Sequence, residues 1–254
     1  MTQIYQVAMP FTILFESAKP VLEINGDVSQ MLFGESFEIK EQDGPFVRGV
    51  SKEDKAEGWM HSDALTDQSW LPTHFVSALW APVFPHAGHK NWAMLNFPFL
   101  SRIEVDAEKE KGDYAFIPVL RGYIHKNHIE PLAALKGNKK LVADTAQRFI
   151  EAPYQLGGRT IAGIDGTGLI QMATTRAGYE CPRSTTEQQM KLGTKIEFSD
   201  VETGDLFYTK DHAGIMLDKD SAIWANPNTM SVEIASITDI AGDPALAIFK
   251  SLEK

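Results

Sequence analysis

Two four-residue segments with the same pattern, glycine–aromatic–X–histidine, constrain the fold of the N-terminal half of the chain. They are GWMH at 58–61 and GYIH at 122–125, and from Gly58 to Gly122 is 64 residues. Before the first segment, residues 36–42 and 46–51 alternate apolar and polar side chains on either side of a turn. Such alternation about a Gly-containing turn is typical of a β-hairpin.

Residues 99–125 repeat this order of strands and turns. We expect strands at 99–106, 114–119 and 121–125, with 108–113 as the charged turn. The acidic stretch 104–113, in which lysines alternate with acids, is expected to be an exposed hairpin tip. The repeat predicts two small all-β barrels of five or six strands, each near the lower size limit for independent folding.

The composition changes after residue 135. Residues 141–151 and 167–178 have the apolar spacing of helices, and Gly178 is expected to end the second. Strands of the expected antiparallel sheet follow at 204–209, 212–218, 221–226 and 230–236. Helices followed by an antiparallel sheet predict an α+β domain.

Composition excludes some functional classes. The chain has 254 residues and a formal net charge of −10, whereas nucleic-acid binding needs clustered Lys and Arg, so no nucleic-acid partner is expected. Residues 1–20 lack a basic leader, and no run reaches the roughly 18 apolar residues of a membrane span. The single cysteine, Cys181, fits a reducing compartment. We expect a cytoplasmic protein, with leaderless export left open.

The C-terminal part resembles the NlpC family of papain-like bacterial cell-wall cysteine peptidases, which cut between γ-D-glutamate and a diamino acid. The segments that carry the resemblance are PYQLGGR (153–159), GID (163–165), GLIQ (168–171), CPR (181–183) with Gln188, GDL (204–206) and HAGI (212–215). GESFE (34–38) and PTHFVS (72–77) are similar to the two bacterial SH3-like barrels that precede the peptidase domain in one branch. The resemblance implies SH3-like barrels at 1–70 and 71–135 and a papain-like domain at 136–254.

In the family, a Cys at the N-terminus of a helix is the nucleophile, a His is its base, and a second polar residue orients that His. The resemblance places these roles at Gly166, His212 and Trp224. Only the base is present, so the resemblance implies an inactive member. Gly166 alone would be interpreted as an ordinary turn glycine, and His212 alone as a structural histidine.

The resemblance also implies a ligand-binding cleft. The family positions beside it are Tyr154, Asp165, Thr167, Arg183 and Ser184 in this chain. For Tyr154 and Asp165, packing and turn capping are equally good interpretations, and Arg183 could serve only in a salt bridge. Outside these positions, Leu156 stands where the family usually has Trp, which changes one wall of the cleft.

Other reactive side chains are not expected to replace the nucleophile or to bind a metal. Thr167 has a hydroxyl, but it lacks the low pKa of a thiol. Cys181 is expected to lie roughly 15 Å or more from Gly166, at the far end of the second helix. His86 and His89 lack a neighbouring acidic or sulfur ligand and are expected in a solvated loop. We expect no metal and no cofactor.

Three functional hypotheses remain at this point. The first is an inactive peptidase homologue whose cleft binds a peptidoglycan-derived peptide or a protein partner. The second is an active cysteine-type peptidase in which Gly166 is an engineered replacement of the nucleophile. The third is a non-catalytic scaffold that binds partners through its SH3-like barrels.

Overall fold

The chain divides into two compact units, Met1–Ala134 and Leu135–Lys254. The computed structural model describes residues 4–18 and 29–253. Residues 1–3 and 19–28, which belong to the expected first barrel and to the N-terminal stretch inspected for a leader, lie outside the described residues.

The first unit consists of short strands with single-turn 3-10 helices between them. Its strands are β1 (Ile4–Val7), β2 (Phe11–Leu14), β3 (Ser29–Leu32), β4 (Ser36–Asp43), β5 (Phe46–Ser51), β6 (Glu57–His61), β7 (Leu65–Thr66), β8 (His74–Val76), β9 (Trp80–Phe84), β10 (Leu95–Pro98), β11 (Arg102–Ile103), β12 (Asp106–Lys111), β13 (Tyr114–Ile117), β14 (Gly122–His125) and β15 (Ile129–Pro131). Its 3-10 helices are Ser62–Ala64, Pro118–Leu120, Lys126–His128 and Leu132–Ala134.

The sheets of this unit fall into two successive stretches of the chain. The first stretch holds a sheet of order β6-β5-β4-β1-β7 and the hairpin β2-β3. The second holds sheets of order β10-β9-β14-β13-β12 and β11-β8-β15. All of the pairing is antiparallel, and the β4–β5 hairpin and β6 lie where the alternating sequence pattern predicts them.

The 64-residue repeat has a physical basis in β6 and β14. A side chain at Gly58 would overlap Leu14 and Phe15, and one at Gly122 would approach Val83 to 2.9 Å. At the other end of each segment, the histidine accepts a hydrogen bond from the backbone two residues on and begins a 3-10 helix. Each glycine therefore admits a neighbouring strand, and each histidine ends its own strand.

The expected strand and turn at 99–113 are wrong in detail. Leu100 adopts a positive φ of 67°, so the chain turns there after β10 has ended at Pro98. Within the expected strand 99–106, only β11 (Arg102–Ile103) and the first residue of β12 are in strands. The charged stretch is mostly β12, an exposed edge strand, and the turn lies beyond it at Gly112. Alternating charges along an edge discourage pairing with other chains, which explains why this strand carries the pattern of a turn.

The second unit has helices followed by a sheet, as predicted. Its helices are α1 (Lys140–Gln147), α2 (Gly166–Arg176), α3 (Thr185–Lys191) and α4 (Ile237–Ala241), with 3-10 helices at Phe198–Asp200 and Pro244–Leu246. Its strands are β16 (Arg159–Thr160), β17 (Gly163–Ile164), β18 (Thr194–Ile196), β19 (Leu206–Tyr208), β20 (Ala213–Met216), β21 (Ser221–Asn226), β22 (Ser231–Ser236) and β23 (Ile248–Ser251).

The main sheet of this unit has the order β18-β23-β19-β20-β21-β22 and packs against α2. Leu169, Ile170 and Ala173 of α2 are fully buried, as are Ile215 and Ile223 of the sheet. Gly178 follows α2 with a φ of 86°, which confirms it as the residue that ends the helix. The order of elements is that of an α+β domain.

A buried carboxyl cluster joins the two stretches of the first unit. Glu53 is 11% exposed in its side chain and lies 3.1 Å from the Arg102 guanidinium, while it also accepts the backbone N–H of Ser36. Nearby Gly34 packs so closely on Arg102 that a β-carbon would lie 2.0 Å from its carbonyl oxygen. Burial and the neighbouring Glu35 carboxylate raise the pKa of Glu53 to about 7, although Arg102 opposes this.

This pKa predicts a pH-dependent stability. Between the ordinary value of 4.5 and about 7, the folded protein holds a proton that the unfolded chain releases. The free energy of unfolding therefore falls as pH rises through this window, by about 3 kcal/mol, and is level above it. Urea unfolding from pH 5 to 8 should show this decrease in the wild type. E53Q should remove it, and E57Q, at an exposed glutamate, should keep it. An unchanged pH dependence in E53Q would contradict the assignment.

Candidate functional site

A polar cleft of about 150 Å³ opens at the N-terminus of α2. The residues that line it are Tyr154, Leu156, Asp165, Gly166, Thr167, Thr185, Thr209, Lys210, Asp211, His212, Ala213, Ala225 and Pro227. This volume is below the roughly 300–1,000 Å³ of typical small-molecule sites. The cleft is therefore suited to one residue or one end of a peptide.

The Asp165 carboxylate organises the entry into α2. One oxygen accepts the backbone N–H of Gly168 at 2.7 Å, which is the N-cap bond of the helix. The other accepts the backbone N–H of Gly157 at 2.7 Å. Asp165 is buried, so these bonds satisfy a carboxylate that would otherwise be costly to remove from water.

Arg183 completes this network from the loop before α3. Its Nη2 lies 2.7 Å from an Asp165 oxygen, and its Nη1 donates to the hydroxyl of Thr167. That hydroxyl in turn donates to Asp165 at 3.2 Å. The Thr167 hydroxyl therefore has both a donor and an acceptor role within the protein, which does not favour a role as nucleophile.

The side chain of Gln188 also bonds to the start of α2. Its side-chain amide donates to the carbonyl oxygens of Thr167 and Pro182, at 3.0 and 2.9 Å. The amide nitrogen also lies 3.5 Å from the sulfur of Cys181. Gln188 thus bridges the first turn of α2 and the loop after it.

The expected distance of Cys181 from the start of α2 is wrong. Its sulfur is 3.5 Å from the Gln188 amide nitrogen, which is 3.0 Å from the Thr167 carbonyl oxygen. The sulfur therefore lies within 6.5 Å of that oxygen. The chain reverses after Gly178, so residues beyond the helix return to its N-terminus. Cys181 is nevertheless buried, and its thiol donates to the Pro182 carbonyl.

His212 and Trp224 meet in an edge-to-face contact. Their ring centroids are 4.8 Å apart and the ring planes are inclined by 69°. His212 immediately precedes β20 and follows a tight turn in which its backbone N–H donates to the Thr209 hydroxyl. Within the described residues, neither its imidazole nor the buried indole N–H of Trp224 has a hydrogen-bond partner. Nothing in this contact fixes which ring nitrogen of His212 carries the proton.

Of the predicted ligand residues, some line the cleft and others lie outside it, where they hold the cleft residues or cap a helix. Tyr154, Asp165 and Thr167 line the cleft, whereas Arg183 and Ser184 are not among its lining residues. Ser184 is the N-cap of α3 and accepts the backbone N–H of Glu187. Burial, together with the Asp165 charge, raises the pKa of Tyr154. Whether any of these residues binds a ligand remains a prediction.

The turn at 209–211 also lines the cleft, although the sequence pattern did not predict it as part of the site. Thr209, Lys210 and Asp211 precede His212 and line the opening. In the sequence these residues form a short polar segment between two apolar strands. Such a segment is expected to be a turn at the ends of the two strands, and this pattern could have indicated it. Lys210 gives the cleft a cation beside His212.

The two histidines considered for a metal site, His86 and His89, lie in an exposed loop. This loop connects β9 and β10. Across residues 4–18 and 29–253, no group of three or more His, Cys, Asp or Glu is arranged to hold a metal ion. The same part of the chain has no helix both long and apolar enough to cross a membrane.

Comparison with protein families gives a match over the segment that contains this cleft. Residues 151–245 match the NlpC/P60 family. The matched segment includes α2, α3 and β19–β22, and therefore Gly166, His212 and Trp224. The α+β expectation and the resemblance noted for the C-terminal part agree with this match.

Curated relatives of the NlpC/P60 type cover different shares of the chain. The chain is 33% identical over 121 residues to the probable endopeptidase NlpC homolog of Haemophilus influenzae, covering 46% of this chain and 64% of that protein. It is 24% identical over 230 residues to the gamma-D-glutamyl-L-lysine dipeptidyl-peptidase of Bacillus subtilis, covering 83% of this chain and 76% of that protein. The chain thus spans less than two thirds of the Haemophilus relative.

A solved structure is similar along nearly the whole chain. The crystal structure of a NlpC/P60 family protein from Bacillus cereus aligns with a TM-score of 0.81 at 15% sequence identity. The alignment covers 98% of this chain and 99% of that one. At this identity the similarity concerns the fold alone.

The network around Asp165 predicts a large loss of stability in D165A. The change removes the cap of α2 and leaves the buried Arg183 guanidinium without this carboxylate, at a cost of about 3–5 kcal/mol. D243A is a matched control, because Asp243 caps an exposed 3-10 helix, and it should cost about 1 kcal/mol or less. Urea unfolding measures both. Equal effects of the two changes would contradict a central role for Asp165.

Proposed function

We propose that the chain is a catalytically inactive relative of the NlpC/P60 peptidases that binds a short cell-wall-derived peptide in the cleft at the start of α2. On this proposal residues 136–254 are the papain-like domain, and the two sets of sheets before it are the two SH3-like barrels expected from the sequence. The family match over 151–245 and the peptidase names of the relatives support it.

The observation that carries the proposal is the set of residues around His212. The position that bears the nucleophile in the family is Gly166, which lines the cleft without a side chain. The position that orients the base is Trp224, which contacts His212 edge to face. Its indole is only a donor, so it cannot accept a hydrogen bond from the imidazole N–H as a polar partner would. Two of the three roles of a cysteine peptidase thus lack a group capable of them.

Neighbouring side chains do not supply the missing nucleophile. The Thr167 hydroxyl is engaged by Asp165 and Arg183. Cys181 is buried and donates to a backbone carbonyl behind the helix, and it does not line the cleft. Neither group is placed to attack a peptide bond held beside His212.

Peptide binding does not need a nucleophile, because it depends only on the shape and charge of the cleft. Lys210, His212 and Tyr154 all line the cleft, where they can provide an ammonium, an imidazole and a hydroxyl to a ligand. The N-terminus of α2 favours a negative group. A peptide of γ-D-glutamate and a diamino acid carries free carboxylates that suit such a surface.

The test uses the peptide L-Ala-γ-D-Glu-diaminopimelate with the full chain. Calorimetry should show binding, and chromatography over hours should show no free diamino acid. Released diamino acid would favour the active-peptidase hypothesis. Absence of both heat and a thermal shift would favour the scaffold hypothesis, in which the barrels bind the partner.

Lys210 gives a matched pair of variants for the binding test. K210Q should weaken binding about threefold to tenfold, since it removes one charge that faces a carboxylate at a partly exposed site. K219Q is the control, because Lys219 is also exposed, lies in the turn after β20 and does not line the cleft. Equal affinities of K210Q and K219Q would place the peptide elsewhere.

A further inference from the structure

Gly166 does not need the conformational freedom of glycine. It is the first residue of α2 and is absent from the described glycines with positive φ. Any L-residue can adopt a helical conformation, and glycine stabilises a helix less than alanine does. The backbone conformation therefore gives no reason for glycine at this position.

The reason is a close contact with β20. A β-carbon built on Gly166 would lie 2.7 Å from the carbonyl oxygen of Ala213, and 3.5 Å from its carbonyl carbon and its nitrogen. Ordinary contacts of a β-carbon begin at 3.4 Å. Every residue except glycine would thus require the helix and the strand to separate by several tenths of an ångström.

Neither partner in this contact can move easily. β20 is paired with β19 on one side and with β21 on the other, so its backbone is fixed by the sheet. α2 is fixed by the Asp165 cap, and a β-carbon at Gly168 would lie 2.2 Å from the Gly158 carbonyl oxygen. Because close-packed interiors transmit such strain, a larger residue at 166 would disturb both elements.

We propose that the Ala213 backbone occupies the space a nucleophile would need, so that the loss of catalysis is fixed by the spacing of α2 and β20 as well as by the missing thiol. Ala213 is then the residue that excludes a side chain from the reactive position. A ligand in the cleft is held beside Lys210 and His212, without a covalent step. This inference rests on the proposed function, but its test does not depend on peptide binding.

The first measurement is the stability of G166A. Helix propensity alone predicts that this change stabilises the protein. The proposal predicts the opposite: the ratio of folded to unfolded protein should fall about tenfold or more, as overpacking does in a filled interior. G137A is the matched control, since Gly137 also has no positive φ and its β-carbon would come no closer than 3.9 Å to any atom. G137A should be neutral or slightly stabilising. Stability of G166A equal to or above the wild type would overturn the proposal.

The second measurement is the reactivity of the thiol introduced by G166C. An open position at a helix N-terminus would lower the pKa of that thiol and make it react quickly. The proposal predicts alkylation by iodoacetamide at pH 6 no faster than that of glutathione, with mass spectrometry separating it from Cys181. Alkylation tenfold faster than glutathione would overturn the proposal. Failure of G166C to fold, with G137A folded, would support it.

The stability of G166A and the peptide binding of the wild type test the inference and the proposed function independently. If G166A is stable while the wild type binds peptide and does not cut it, the inference is wrong and the proposed function stands. If G166A is destabilised and the wild type binds no peptide, the spacing of α2 and β20 is supported and the peptide-binding role is wrong.

Discussion

The Asp165 carboxylate is the interaction on which the cleft depends, because it ties together three segments that are distant in sequence. It caps α2, binds the backbone of Gly157 and pairs with Arg183. These bonds hold Asp165 and the start of α2, which line the cleft, and the carboxylate and guanidinium are both buried. The position of Gly166, the next residue along the chain, follows directly from this arrangement.

Several residues in the segment that matches the NlpC/P60 family belong to this supporting network. Asp165, Arg183 and Gln188 bond to one another or to the first turn of α2. On the proposed function, Gly166 and Trp224 are the two positions that lack the groups an active peptidase uses. The bonds of the supporting residues contribute to the free energy of folding whether or not the chain catalyses a reaction. An inactive chain would therefore retain the fold.

Sequence patterns predicted the elements better than the contacts between them. Alternation predicted the β4–β5 hairpin, and Gly178 predicted the end of α2. The strands at Thr194–Ile196 and Ile248–Ser251 are too short to show a period of apolar residues, so the sequence pattern does not predict them. The chain path after α2 determines the ion pair of Asp165 with Arg183. It also determines the position of Cys181 near the N-terminus of α2. Likewise, the approach of Ala213 to Gly166 depends on the distance between a helix and a sheet, which no local pattern records.

On the proposed function, the cleft binds a wall-derived peptide without cutting it. An NMR titration of the labelled protein with L-Ala-γ-D-Glu-diaminopimelate tests this most directly, because the spectra report the protein and the peptide together. We expect progressive shifts of the Gly166 and Thr167 amides and of the His212 ring, with the peptide signals intact. Signals of free diamino acid, or unchanged resonances of these three residues at millimolar peptide, would contradict it.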